Sequence, residues 1–142
     1  MPMMKDDSVV QFNKGNALYD LGKYNEAITY FDKALEINPD DEDTWYNKGI
    51  TLDNLEKYNE AIKAYNEAIQ LEPDYCNTWY SKGLALDDLA KYDEAIKCYD
   101  EVIRLNPEYL DVWREKGDVL VKLGKYDKAR KCFDISQRRQ EG

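Results

Sequence analysis

The sequence predicts an all-α fold, a right-handed superhelical solenoid of four helix-turn-helix hairpins. Three tryptophans lie 34 residues apart, and most of the residues around them recur at the same interval. A period of this length is typical of stacked helical hairpins. A glycine series and a tyrosine series run through all four copies. They are Gly15, Gly49, Gly83 and Gly117, and Tyr24, Tyr58, Tyr92 and Tyr126.

The period divides the chain into four units, residues 8–41, 42–75, 76–109 and 110–142, which we expect to form one domain. Residues 1–7 have neither the order of a secretory signal nor a helical stripe, so we expect a frayed, flexible terminus there. No stretch of the sequence is long and apolar enough to predict a membrane span.

The first helix of each unit is predicted from apolar residues at helical spacing. In the second unit Trp45, Gly49 and Leu52 occupy one face of such a helix. Because glycine inside a helix costs about 1 kcal/mol relative to alanine, we expect it to allow close approach of the second helix. An alanine of that helix is expected opposite each glycine. These alanines are Ala27, Ala61, Ala95 and Ala129.

The second helix of each unit follows a short turn, which contains Gly22 in the first unit and Gly124 in the fourth. Glycine tolerates the left-handed backbone that ends many helices. Short polar residues after the turn are expected to cap the second helix, and prolines are expected to end it. These residues are Asn25, Asn59, Asp93 and Asp127, and Pro39, Pro73 and Pro107.

This pattern resembles the tetratricopeptide repeat family, in both the Trp-x3-Gly-x2-Leu first helix and the Tyr-x2-Ala-x3-aromatic second helix. Gln11 replaces the tryptophan of the first unit, and the fourth unit lacks its closing proline. The Gly, Tyr and Ala series are nevertheless intact, so the resemblance implies a peptide-binding or protein-binding fold.

An enzymatic role, a cofactor and a metal are not expected from this sequence. The chain has no histidine, no Gly-rich phosphate loop and no Cys-x2-Cys pair. The acidic run Asp40–Asp43 lacks the spacing of a calcium loop. Cys76, Cys98 and Cys132 are too few and too scattered for a disulfide framework, so we expect a reducing, cytoplasmic location, with packing roles for Cys98 and Cys132.

The resemblance implies that the first helices line a concave groove. Carrying over the family's groove positions selects 24 residues, of which eight are acidic and two are basic, a net charge of −6. The candidate contacts among them are Phe12, Asn13, Asn16, Tyr19, Asp43, Tyr46, Asn47, Ile50, Asp53, Tyr80, Ser81, Leu84, Asp87, Asp111, Arg114 and Asp118.

An acidic groove with aromatic residues favours a basic, partly apolar protein or peptide partner, and it disfavours nucleic acid. A merely solvated acidic face is the alternative interpretation of the same charges. The family's carboxylate-binding mode needs cations, but Phe12, Asn77 and Ser81 occupy those positions, and only Asn16 and Asn47 match it.

A self-assembling module is the alternative function. From Lys122 onward the chain carries a net charge of +4, whereas the residues before it carry −13. The basic last helix of one molecule would then meet the acidic groove or the open end of another, giving weak homo-oligomers. Apolar surface around Val119, Leu123 and Phe133 is expected to remain at that end of the array.

Overall fold

A computed structural model describes residues 5–141, with side chains described for residues 7–138. Residues 5–141 form eight α-helices and no strand. The predicted fold class, an all-α solenoid built of helical hairpins, is confirmed. The chain comprises two compact units, Met1–Pro73 and Asp74–Gly142.

The first unit, unit 1, contains two helical hairpins. Consecutive helices pack against each other, and α1 also contacts α3. Its core contains Phe31 and Tyr65, both fully buried, surrounded by small residues such as Ala27 and Ala61. The four helices are α1 (Lys5–Asp20), α2 (Tyr24–Ile37), α3 (Glu42–Asn54) and α4 (Tyr58–Leu71).

The second unit, unit 2, repeats this arrangement. Tyr99, Val102 and Val112 are fully buried between its helices. Tyr126, at the start of the last helix, is 65% exposed, because no described helix follows to cover it. The four helices are α5 (Cys76–Asp88), α6 (Tyr92–Leu105), α7 (Leu110–Lys122) and α8 (Tyr126–Glu141).

The helical glycines face an aromatic ring, and not the alanine that we expected opposite them. A Cβ placed on Gly49 would lie 2.6 Å from Cδ1 of Tyr65, and one placed on Gly83 would lie 2.5 Å from Cε1 of Tyr99. The prediction that glycine permits close approach was correct, but the wrong residue was placed opposite it. The ring lies four residues beyond the alanine, one helical turn along the same face.

The turns of all four hairpins place one residue in left-handed backbone. Gly22 and Gly124 have φ of 76°, and the equivalent residues Glu56 and Ala90 have φ of 58° and 59°. The two turn glycines therefore correctly indicated left-handed backbone, and the two units without a turn glycine adopt it as well.

The predicted N-caps are wrong, because each second helix begins one residue before them. In α2 the N-cap is Lys23, which makes no side-chain capping bond. Its amide donates instead to the carbonyl of Leu18 across the turn. A true side-chain cap occurs at α3, where Asp41 accepts from the amide of Asp43 and the hydroxyl of Thr44.

The ends of the array also differ from expectation. Helix α1 begins at Lys5, inside the segment 1–7 that was predicted to be flexible, and residues 1–4 lie outside the described part of the chain. At the other end Val119 is fully buried, so it leaves no apolar surface there. Leu123 and Phe133 are half-buried.

Candidate functional site

The first helix of each hairpin carries the predicted groove residues, and in unit 1 these helices are α1 and α3. Between them lies a cavity of about 420 Å³, here called the tyrosine pocket. Five of the predicted contacts line it, together with Asp20 and Phe31. The lining residues are Asn16, Tyr19, Asp20, Phe31, Tyr46, Asn47 and Ile50.

Hydrogen bonds between α1 and α3 fix the polar part of the tyrosine pocket. The side-chain amide of Asn47 donates to Oδ1 of Asn16 at 2.9 Å. Beside it, Asn54 donates to the hydroxyl of Tyr19 at 3.0 Å. These bonds hold the two first helices in register and orient Tyr19 at the pocket wall.

Aromatic rings form the apolar part of the tyrosine pocket. The ring of Phe31 lies against Gly15 and 6.1 Å from the ring of Phe12. Tyr46 stands 6.1 Å from the ring of Tyr65 in the same tilted geometry. Phe31 is not among the predicted groove contacts. Because Gly15 has no side chain, the ring that packs over it also reaches the pocket.

The other predicted residues of unit 1 lie outside the tyrosine pocket. Asn13 and Asp43 are exposed. Asp53 accepts a hydrogen bond from the hydroxyl of Tyr65, so it also ties α3 to α4. Burial and the neighbouring Glu42 and Asp41 raise the pKa of the Asp43 carboxyl.

In unit 2 the predicted residues lie on α5 and α7. Tyr80 packs against Tyr99 at 6.2 Å and edge-on against Tyr109 at 5.4 Å. Ser81 is only 7% exposed, so a ligand reaches little of it, and Leu84 is half-buried.

Some of the charged residues on α5 and α7 form ion pairs, either between the two helices or within α7. Asp87 accepts from Nζ of Lys122 at 2.8 Å, and Asp111 lies 3.6 Å from Arg114. Asp118 is exposed. Two of the predicted acids of unit 2 therefore already have a basic partner.

The electrostatic environment of this surface is nonetheless acidic. Burial raises the pKa of Tyr80 to about 12, with Glu115 as the next cause. The pKa of Glu115 is also raised, first by burial and then by Asp118. Hydrogen bonding to Asp87 raises the pKa of Lys122. Burial is the largest cause for Tyr80 and Glu115, and the neighbouring carboxylates add to it in the direction that a negative potential requires.

Nucleophilic and metal chemistry find little support among the described residues. Burial raises the pKa of the Cys98 thiol to about 11 and also raises that of Cys132, so both are thiols at neutral pH. Within the described chain, no group of three or more acidic or cysteine side chains is placed to hold a metal ion.

Family models for the tetratricopeptide repeat match residues 8–41, 42–75 and 76–109, and a second model of the same repeat matches residues 98–131. The chain belongs to the tetratricopeptide repeat family. Among curated proteins none matches the sequence. The first three repeat boundaries agree with those predicted from the 34-residue period.

Solved tetratricopeptide-type structures resemble this chain closely in fold. A crystal structure of MamA has a TM-score of 0.92 at 25% identity, covering 94% of this chain and 78% of that one. A MamA structure from Desulfovibrio magneticus has a TM-score of 0.89 at 25% identity, covering 94% of this chain and 76% of that one. The first tetratricopeptide domain of Spaghetti (RPAP3), bound to the HSP90 peptide SRMEEVD, has a TM-score of 0.82 at 27% identity. The match covers 87% of this chain and 98% of that one.

Family membership and these neighbours support a protein–protein interaction scaffold as the function of this tetratricopeptide chain. Among residues 5–141, no helix is both long enough and apolar enough to cross a membrane.

Proposed function

We propose that this scaffold binds a basic, partly apolar segment of a partner protein, using the surface formed by α1 and α3. The tyrosine pocket carries this proposal. Its volume of about 420 Å³ can accept one or two side chains, and Tyr19, Tyr46 and Ile50 offer them aromatic and aliphatic surface. The exposed carboxylate of Asp20, at the edge of the same pocket, attracts a neighbouring cation.

The surface formed by α5 and α7 supports the same partner chemistry. Tyr80 is half-buried near the acid Glu115, and Asp118 in turn lies near Glu115. Because Lys122 and Arg114 neutralise Asp87 and Asp111, the free negative charge in unit 2 is smaller than the sequence suggests. We therefore assign the proposed contact to the tyrosine pocket of unit 1, and the surface of unit 2 is the weaker candidate.

An acidic peptide such as the one bound to the Spaghetti domain fits this surface poorly. Asn16 and Asn47 bond to each other. Phe12 stands at a position where the carboxylate-binding mode needs a cation, and its ring packs near Phe31. A peptide carboxylate would therefore meet no cation among these three residues and would approach Asp20.

Fluorescence anisotropy with a labelled peptide of alternating lysine and leucine tests the proposal. Tyr46→Ala and Asp20→Lys are each expected to weaken binding by about tenfold, the usual cost of losing an aromatic anchor or reversing a contact charge. Added salt should weaken binding to the unmodified chain, since exposed charges are screened.

Two matched controls and a second peptide sharpen this test. Tyr126→Ala removes an exposed ring and Glu72→Lys reverses an exposed charge, both outside the tyrosine pocket, so neither should change the affinity. The peptide SRMEEVD should bind more weakly than the basic peptide. Equal losses in pocket and control variants, or tighter binding of SRMEEVD, would overturn the proposal.

A further inference from the structure

A second cavity lies in unit 2, away from the predicted groove residues. It has a volume of about 730 Å³ and is bordered by α6, α7 and α8. Trp113, Leu120 and Ile135 supply apolar lining. Five lysines line it, and we call it the lysine cleft. They are Lys97, Lys116, Lys125, Lys128 and Lys131.

The two preceding hairpins have cavities at the equivalent place. These cavities are lined by glutamates at two positions where the lysine cleft has no acidic residue. Glu60 and Glu67 line the cavity of α3 and α4, and Glu94 and Glu101 line that of α5 and α6. One repeat later these two positions hold Lys128 and Ile135. The last hairpin has therefore exchanged an acidic wall for a basic residue and an apolar one.

Local helix energetics do not account for this exchange. Lys128 is the third residue of α8, in the first turn, where the positive end of the helix dipole disfavours a cation. The equivalent residues Glu26, Glu60 and Glu94 suit that end. A lysine at this position lowers helix stability, so a role outside the helix is the better explanation for it.

The charges of the lysine cleft are available to a partner. Within residues 7–138, its lysines 97, 125, 128 and 131 take part in no ion pair, and all four are exposed. Lys116 also lines the cleft, but it is bound to Asp100 at 2.6 Å. Asp93 is the one further carboxylate among the lining residues. The local charge is therefore positive on a chain whose net charge is −9.

We propose that the lysine cleft binds an acidic segment of a partner protein that carries an apolar side chain. The partner's carboxylates would pair with the lysines at the rim, and its apolar side chain would pack against Trp113, Leu120 and Ile135. This site differs from the tyrosine pocket in its lining residues and in the charge it selects. An experiment can therefore contradict one proposal without contradicting the other.

A protein segment fits the lysine cleft better than a nucleic acid does. A phosphate backbone gains nothing from an apolar lining, and it would extend beyond the cleft over a chain that is acidic elsewhere. A second copy of the chain fits less well too, because its acidic groove residues lie on a surface that is itself recessed at the tyrosine pocket.

Anisotropy titration with a labelled peptide of alternating glutamate and leucine tests the proposal. Lys128→Glu and Ile135→Glu restore the acid that earlier repeats carry, so the fold should persist, as circular dichroism would verify. Each variant is expected to weaken binding by about tenfold through charge reversal or loss of apolar contact. Lys63→Glu makes the same charge change at an exposed position of α4 and should leave the affinity unchanged.

Three further measurements separate the possible occupants. A single-stranded oligonucleotide and vesicles of anionic lipid should each bind more weakly than the glutamate–leucine peptide. Light scattering should give the same mass for the unmodified chain and for Lys128→Glu. Preference for the oligonucleotide or the vesicles, or an oligomer that Lys128→Glu dissociates, would overturn the proposal, as would unaltered peptide binding by the cleft variants.

Discussion

Single residues in left-handed backbone reverse the chain in each hairpin. Gly22 and Gly124 adopt this conformation at little cost because they lack a Cβ, whereas Glu56 and Ala90 adopt it with one. A residue with a Cβ loses about 1–2 kcal/mol in this region. The two turns without glycine are therefore sites of local strain.

Ala90→Gly is expected to raise the free energy of unfolding by about 0.5–1 kcal/mol, since relief of strain outweighs the added entropy of the unfolded chain. Urea denaturation measures this change. Ala17→Gly, the same substitution at an exposed position inside α1, should lower it by about 0.5–1 kcal/mol. Loss of stability in both variants would contradict the strain at Ala90.

Two buried tyrosines at equivalent positions differ in their hydroxyl groups. The Tyr65 hydroxyl donates to Asp53, whereas the Tyr99 hydroxyl is buried with no hydrogen-bond partner among residues 7–138. Tyr65→Phe should lower the free energy of unfolding by about 1–3 kcal/mol, and Tyr99→Phe should leave it unchanged or raise it.

Thermal denaturation of these two variants distinguishes the hydroxyls. Both should keep the fold, because Phe31 and Phe133 occupy the same repeat position. A larger loss in Tyr99→Phe than in Tyr65→Phe would show that the Tyr99 hydroxyl has a stabilising partner.

In unit 2, packing between helices shifts the pKa of individual side chains. Tyr80 belongs to α5, yet after burial the causes that raise its pKa include Glu115 and Asp111 of α7. The packing of these helices thus disfavours the tyrosinate in the folded state.

This shift predicts a pH dependence of stability. The unfolded chain loses the Tyr80 proton near pH 10, but the folded chain holds it to about pH 12. The unfolded state therefore binds fewer protons between these values, and Tyr80 makes stability fall as pH rises through them. Tyr80→Phe should flatten this part of the stability curve, measured by urea denaturation at several pH values. An unchanged slope would contradict the raised pKa.

The hairpins were predictable from sequence because each is specified by a local pattern repeated four times. The prolines end their helices as expected, and α2 stops at Ile37, two residues before Pro39. Which residue faces each glycine was not predictable from spacing alone, since Ala27 and Phe31 lie on the same helical face. The N-caps were misplaced because backbone bonds across the turn determine where the second helix begins.

At the scale of the whole molecule, the chain carries two kinds of charged surface. Its groove helices carry aromatic and acidic residues, and α6, α7 and α8 border the lysine cleft. The groove residues could be predicted from the family's positions, but the ion pairs that they form could not. The bond of Asp87 to Lys122 depends on side-chain geometry between neighbouring helices. The lysine cleft was missed because its lysines come from three different helices and from the turn before α8.

Amide chemical-shift mapping of the ¹⁵N-labelled chain with the lysine–leucine peptide tests the central claim most directly. Binding at the tyrosine pocket should shift the amides of Asn16, Tyr19, Tyr46 and Asn47 most strongly and in a saturable manner. Shifts confined to α2 and α4, or none at a peptide excess that saturates anisotropy, would contradict the account.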